Sequence, residues 1–312
     1  VLSFEKFMAE EFGELSEKLI TFAKQAYPKF GNILILAGGA GSGKGFIKDT
    51  LVGMEGFTFD VDALKTLAAK TPMIVKKVKD ELGVDLTALA GDLKNPDNVG
   101  KLHGIIGDYL GLDDKKTQAL YGSILTAAPD RKPNIIFDVT LKDLQKLEKI
   151  TRQVKELGYD PKKIHIVWVV NDIEVAMKQN AERDRVVPLE ILISTHRGAS
   201  QTMLDIIRMG EKVKKYMDGD IVFAFNKVGV DADLAKGTVF GPNPSIDGKA
   251  MGPTKTGRKI GMSGNTKGGS FIKKADYVYI KRSGQQVMNM DAIGNDIRNK
   301  ISSYVPKNAS WS

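Results

Sequence analysis

The sequence predicts an α/β fold, a mostly parallel sheet flanked by helices, on three observations. Short β-rich runs recur along the chain: "NILILA" (32–37), "FTFDV" (57–61), "NIIFDV" (134–139), "KIHIVWVV" (163–170) and "DIVFAFN" (220–226). Longer stretches with helical spacing separate them, the alternation that lays successive strands parallel and covers both sheet faces. The first run also breaks directly into glycines, at a carboxyl strand end where such sheets bind ligands.

Taken in order, residues 1–30 read as a helical lead-in, with Phe4, Phe7, Met8, Phe12, Leu15, Leu19 and Phe22 spaced to pack one face on the core. The next stretch, "ILILAGGAGSGKG" (33–45), meets the phosphate-loop pattern GxxxxGK[ST] from Gly38 through Gly43 and Lys44. Gly45 stands where a serine or threonine normally helps to hold magnesium. Small residues at Gly38, Gly39, Ala40, Gly41, Ser42, Gly43 and Gly45 free backbone N–H groups to converge on phosphate oxygens. The following helix presents its positive end, and Lys44 reaches the terminal phosphates. The other reading is a glycine-rich turn that matches by chance. Strand before and helix after favour the working loop, and with it a P-loop NTPase fold.

In "TFDVDALK", Asp60 and Asp62 alternate with Phe59 and Val61, so a continued strand points both carboxylates to one side. A carboxylate there accepts the proton of a substrate hydroxyl as it attacks the terminal phosphate, and Asp62 is the better placed. The rival reading is a cap on the helix "ALKTLAAK". Asp138 follows four residues of the buried strand "NIIFDV", as a magnesium-ordering carboxylate does, or merely satisfies nearby backbone donors. Thr140 is a candidate cap for the helix that follows, where Leu141, Leu144, Leu147, Ile150, Val154 and Leu157 share a face before Gly158. Arg183 and Arg185 flank a helix end before Pro188, with Arg197 close behind; they read as a polyphosphate clamp or as a solvated helix end.

These four pieces in order, "AGGAGSGKG", "FDVDALK", "NIIFDVT" and "NAERDRVVP", resemble the zeta-toxin and polynucleotide-kinase branch of P-loop kinases, in the versions found in bacteriophages. The resemblance runs from about Ile33 to Asn226. It implies ATP and Mg2+ as cofactors, Lys44 on the β and γ phosphates, Asp62 as base, Asp138 serving the metal, and Arg183 and Arg185 as the lid. The helical stretch between 63 and 133 looks like the insertion with which such kinases cover substrate. The branch includes kinases of nucleic-acid ends, nucleotide sugars and modified bases, so the resemblance leaves the acceptor open.

The expected organisation is a lead-in (1–30), a core (31–228) with its helical region (63–133), a loop (229–275), and a terminal strand and helix completing the core (276–312). The loop is rich in Gly, Pro, Ser, Thr and Lys, and is expected to be irregular. Segment 236–282 holds ten basic residues against Asp247 and Asp276, a balance of +8 that equals the whole chain's net charge. Such a segment favours DNA, RNA or a nucleotide as partner, or is simply a charged surface. There is no cysteine, and His103, His165 and His196 are scattered, so disulfides and a structural zinc site are not expected. No apolar run has bilayer length and the start is acidic, which predicts a cytoplasmic protein without a membrane partner, or one associated with a virion. The expected activity is transfer of the γ-phosphate of ATP to a hydroxyl of an anionic substrate. The alternative is a weak or inactive nucleotide-binding protein with a structural role in a virion, which Gly45 slightly favours.

Overall fold

A computed structural model describes residues 19–59, 61–226, 275–289, 293, 295–309 and 311. Six strands form one sheet in the order β2-β3-β1-β4-β5-β6: β1 (Ile33–Ala37), β2 (Phe57–Phe59), β3 (Ile135–Val139), β4 (Ile164–Asn171), β5 (Ile221–Asn226) and β6 (Ala275–Lys281). The first five are parallel, and β6 closes one edge antiparallel to β5. Strand β1 lies at the centre, with Ile33 in register with Ile135 on one side and Ile164 on the other. That central strand feeds the glycine loop.

Alternation along the strands divides the core. Ile33, Ile35 and Ala37 face one layer, packed with Phe137, Ile166 and Trp168 against α7 (Leu144–Glu156) and α9 (Leu189–Met209). Leu34 and Leu36 face the other, where Ile47 and Leu51 of α1 (Lys44–Leu51) cover them together with Ile20 and Phe22. The expected lead-in lies mostly outside the described residues. Its end is tied down: Ile20 N donates to Leu51 O at 2.8 Å, and Tyr277 Oη donates to Leu19 O at 3.0 Å.

Between β2 and β3 the chain is helical: α2 (Val61–Lys70), α3 (Pro72–Leu82), α4 (Leu86–Gly91), α5 (Pro96–His103), a π-helical turn (Gly104–Tyr109) and α6 (Leu112–Leu125). Ala68, Val78, Leu86, Leu102, Ile106 and Leu110 give this region a small core of its own. Helix α8 (Ile173–Glu182) follows β4, and α10 (Asn295–Tyr304) lies near the end of the chain.

Two local expectations change. Strand β2 ends at Phe59 and helix α2 already includes Val61, so Asp62 sits in the helix's first turn and not on an extended strand. The two-residue alternation that aimed Asp60 and Asp62 to one side therefore stops at Phe59. Asp60 and the side chain of Asp62 lie outside the described residues. Helix α7 begins at Leu144, capped by Asp143, whose carboxylate accepts from Lys146 N at 2.8 Å. Leu141 has φ 48°, a turn that separates Thr140 from the helix it was expected to cap.

Candidate phosphate-binding site

The loop spans Gly38–Gly43 between β1 and α1, and the cap of α1 is Gly43 at φ 87°. A side chain there would be strained, and its Cβ would stand 1.9 Å from Asn226 Nδ2. A Cβ on Gly39 would fall 2.2–2.5 Å from the His196 ring. Gly45, in contrast, is exposed, and a Cβ there meets open space. Gly39 and Gly43 are fixed by neighbours, whereas Gly45 is not.

Lys44 Nζ donates to Gly38 O at 3.0 Å and Gly39 O at 3.3 Å, and lies 3.6 Å from Asp138 Oδ1. The parallel register explains the meeting: Asp138 is paired with Leu36, one residue before β1 ends, so it stands beside the root of the loop. The sequence placed Lys44 and Asp138 each near the carboxyl end of a strand without saying that the strands are neighbours, and the structure brings the two side chains together.

Ala40 is held on both sides by consecutive residues of α9. Its N–H donates to Thr195 Oγ1 at 3.1 Å, and its carbonyl accepts from His196 Nε2 at 2.8 Å. Thr195 Oγ1 in turn donates to Leu192 O at 2.8 Å. Burial first, and then the positive charge of Lys44, push the His196 pKa down to about 4 against the opposing pull of the Ala40 carbonyl. The ring is neutral near pH 7 and carries its proton on Nε2, since a carbonyl can only accept. Asn171 Nδ2 donates to Gly41 O at 3.4 Å, and Asn226 Nδ2 to Ser42 O at 3.0 Å.

Arg183 follows α8, with Nη1 3.9 Å from where a Cβ on Gly41 would lie, so it stands at the loop. The turn carrying Arg183 and Arg185 is bracketed by Asn180, whose Nδ2 donates to Val187 O at 2.7 Å and whose Oδ1 accepts from Val187 N at 2.9 Å. Val186 N donates to Leu93 O at 2.8 Å, fastening this turn to the helical region. Arg197 is exposed on α9, next to His196.

For a divalent cation, Asp138 supplies one carboxylate and Gly45 supplies no side-chain oxygen. No group of three or more His, Cys, Asp or Glu residues that could hold a metal occurs among the described residues. This donor set fits a magnesium ion carried mainly by phosphate oxygens and water, which needs only one or two carboxylates from the protein. Thr195, His196, Asn171 and Asn226 were not singled out from the sequence. The two asparagines had a signal, each being the polar end of an apolar strand in "VWVVN" and "VFAFN".

A glycine loop leaving the central parallel strand, a lysine from the next helix and an aspartate on the neighbouring strand define a P-loop kinase-like fold. The zeta toxin family matches residues 110–223, which include Asp138, Arg183 and Arg185 but not the loop itself. No curated protein matches the sequence. Among solved structures, the PezAT toxin-antitoxin system of Streptococcus pneumoniae is similar at 15% identity and TM-score 0.37, over 70% of this chain and 75% of that one. The AvrRxo1-ORF1:-ORF2 complex with ATP is similar at 14% identity and TM-score 0.39, over 64% and 55%. The same complex with sulphate ions gives 12% identity and TM-score 0.42, over 90% and 74%. No helix among the described residues is long and apolar enough to cross a membrane.

Proposed function

We propose that the protein is an ATP-dependent phosphotransferase that moves the γ-phosphate to a hydroxyl of an anionic substrate, a nucleic acid or a nucleotide. The observation that carries this reading is the convergence of Lys44 and Asp138 at 3.6 Å beneath a loop whose helix points its amino end at the same place. In this reading Lys44 exchanges the carbonyls of Gly38 and Gly39 for the β and γ phosphates. Arg183 and Arg185 close over the transferred group and offset its charge, and Arg197 adds to nucleotide binding. Asp62, at the positive end of α2, takes the proton of the acceptor hydroxyl. Magnesium, when bound with the nucleotide at Asp138, neutralises charge developing on the phosphates.

The anionic acceptor is supported by the basic segment 236–282, though Lys281 and Arg282 are engaged elsewhere. Lys281 is buried and its Nζ lies 2.8 Å from Asp218 Oδ1. Arg282 lies over the Tyr279 ring and donates to Thr21 Oγ1 at 3.1 Å. The acceptor-binding charge is therefore left to residues 236–274.

Transfer of labelled phosphate from ATP to a panel of 5′-hydroxyl DNA and RNA, nucleosides, modified-base DNA and nucleotide sugars tests the proposal. Label is expected on one class, and Lys44→Ala is expected to abolish it while the protein stays folded. Label on none, with no release of free phosphate, would mean a nucleotide-binding or structural protein instead.

A further inference from the structure

The carbonyls of the loop are all occupied as acceptors. Those of Gly38 and Gly39 accept from Lys44 Nζ, and that of Gly43 accepts from Ile47 N at 3.1 Å. The three in between, on Ala40, Gly41 and Ser42, accept from His196, Asn171 and Asn226. All three donors are buried, with His196 at 6%, Asn171 at 1% and Asn226 at 2% exposure. They come from three separate elements, α9 and the carboxyl ends of β4 and β5. None is an ion: the two amides are neutral, and His196 is neutral at ordinary pH.

We propose that Asn171, His196 and Asn226 are positioning residues of the phosphate loop, holding three successive carbonyls away from the space that the phosphates enter. The inference rests on the nucleotide reading above and adds how the loop is kept receptive to anions. An exposed carbonyl beside a phosphate repels it, whereas a carbonyl bonded behind the loop turns its peptide so that the N–H can face the ligand, as it can at Gly41 and Gly43; Ser42 N instead donates to Gly39 O at 3.2 Å and closes the loop. Neutral donors do this without placing a second positive charge behind Lys44 that would compete for the phosphate. The glycine pattern agrees, since Gly39 and Gly43 are the positions where a Cβ would strike His196 and Asn226. Among the described residues Asn171 Oδ1 has no partner, so its amide is oriented by the Gly41 carbonyl. The 3.4 Å contact makes Asn171 the weakest of the three.

The test measures affinity for ATP, and for inorganic triphosphate as the bare anion, by calorimetry on the full chain. His196→Leu keeps apolar bulk and removes the donor, and is expected to weaken both ligands about tenfold, the equivalent of one good hydrogen bond. His196→Gln restores an N–H donor and is expected to recover most of that loss, which a merely space-filling role would not give. Asn226→Ser, which shortens the side chain without adding bulk, carries the same expectation should His196→Leu fail to fold. Kinetically, KM for ATP is expected to rise more than kcat falls. Wild-type protein that binds ATP alongside equally tight His196→Leu or Asn226→Ser variants would overturn the positioning role alone. Wild-type protein that binds neither ligand would overturn the nucleotide reading, and this inference with it.

Discussion

The two ends of the sheet treat polar groups in opposite ways. At the amino end, charges are spent on one another. Lys281 pairs with Asp218, and Arg282 Nη1 is 3.8 Å from Asp220 Oδ1; the Asp220 carboxylate also accepts from Ala23 N at 2.7 Å, while Asp220 N donates to the buried His165 Nδ1 at 2.9 Å. At the carboxyl end, neutral amides and a neutral imidazole hold the loop, and Lys44 is the charge placed where a phosphate would arrive. A charge satisfied inside the protein fixes structure. A charge resting on carbonyls and a 3.6 Å carboxylate can change partners.

That contrast can be broken by substitution, and the largest effect is expected at the amino end. Lys281→Met leaves the Asp218 carboxylate without its buried partner and is expected to cost about 3 kcal/mol of stability. ATP affinity is expected to stay at the wild-type value; chemical denaturation and calorimetry on the same variant separate the two. A tenfold loss of affinity would show that the ends are coupled.

Acidification probes both ends together. His196 is pushed down to about 4 chiefly by burial, and burial likewise lowers His165, though its Asp220 partner pulls the other way and Lys281 and Lys163 add to the lowering. Both folded-state pKa values lie below the unfolded one, so the unfolded chain binds more protons as pH falls. Stability is therefore full above about pH 6.5 and declines below it, by about 3 kcal/mol through His196 alone by pH 4. Denaturation midpoints measured between pH 7 and 4 check this. His196→Gln should flatten part of the slope and leave the contribution of His165.

At the loop, Gly43→Ala combines a left-handed backbone with a Cβ 1.9 Å from Asn226 Nδ2. It is expected to cost about 1–2 kcal/mol in stability and to lower ATP affinity more than tenfold, the reverse of the pattern for Lys281→Met. The smallest effect is expected at Gly45→Ser, where the new side chain enters open space. Stability should change by no more than about 0.5 kcal/mol. ATP affinity should become more dependent on magnesium, read by calorimetry with and without the metal. A wild-type protein already as magnesium-dependent as the variant would show that Asp138 and water suffice.

Much of the fold could be read from the sequence because its strands are short apolar runs with clear limits. The expected runs at 134–139 and 220–226 differ from β3 and β5 by a single residue at one end. Lys44 and Asp138 were legible too, since each sits at a fixed offset from a strand end. The limit of β2 was not. "TFDVDALK" continues the strand alternation through Asp62, but the helix takes over at Val61, and local pattern alone favours neither. The loop-holding side chains were hidden for another reason. His196 reaches Ala40 across 156 residues and Asn226 reaches Ser42 across 184, so only the packing of α9 beside the loop and the register of β1, β4 and β5 bring them together. Their trace in the sequence is indirect, in the glycines opposite them.

The antiparallel pairing of β5 with β6 has a further consequence for how the chain can be altered. Asn226 and Ala275 are register partners, so the chain leaves the sheet and re-enters it at adjacent points, about 5 Å apart in such a ladder. A two-residue turn could join them as an ordinary hairpin, with the six-stranded order retained. Replacing the residues between them by such a turn is therefore expected to leave the six-stranded order in place, and the ATP affinity of the shortened chain would read what those residues add to the phosphate site.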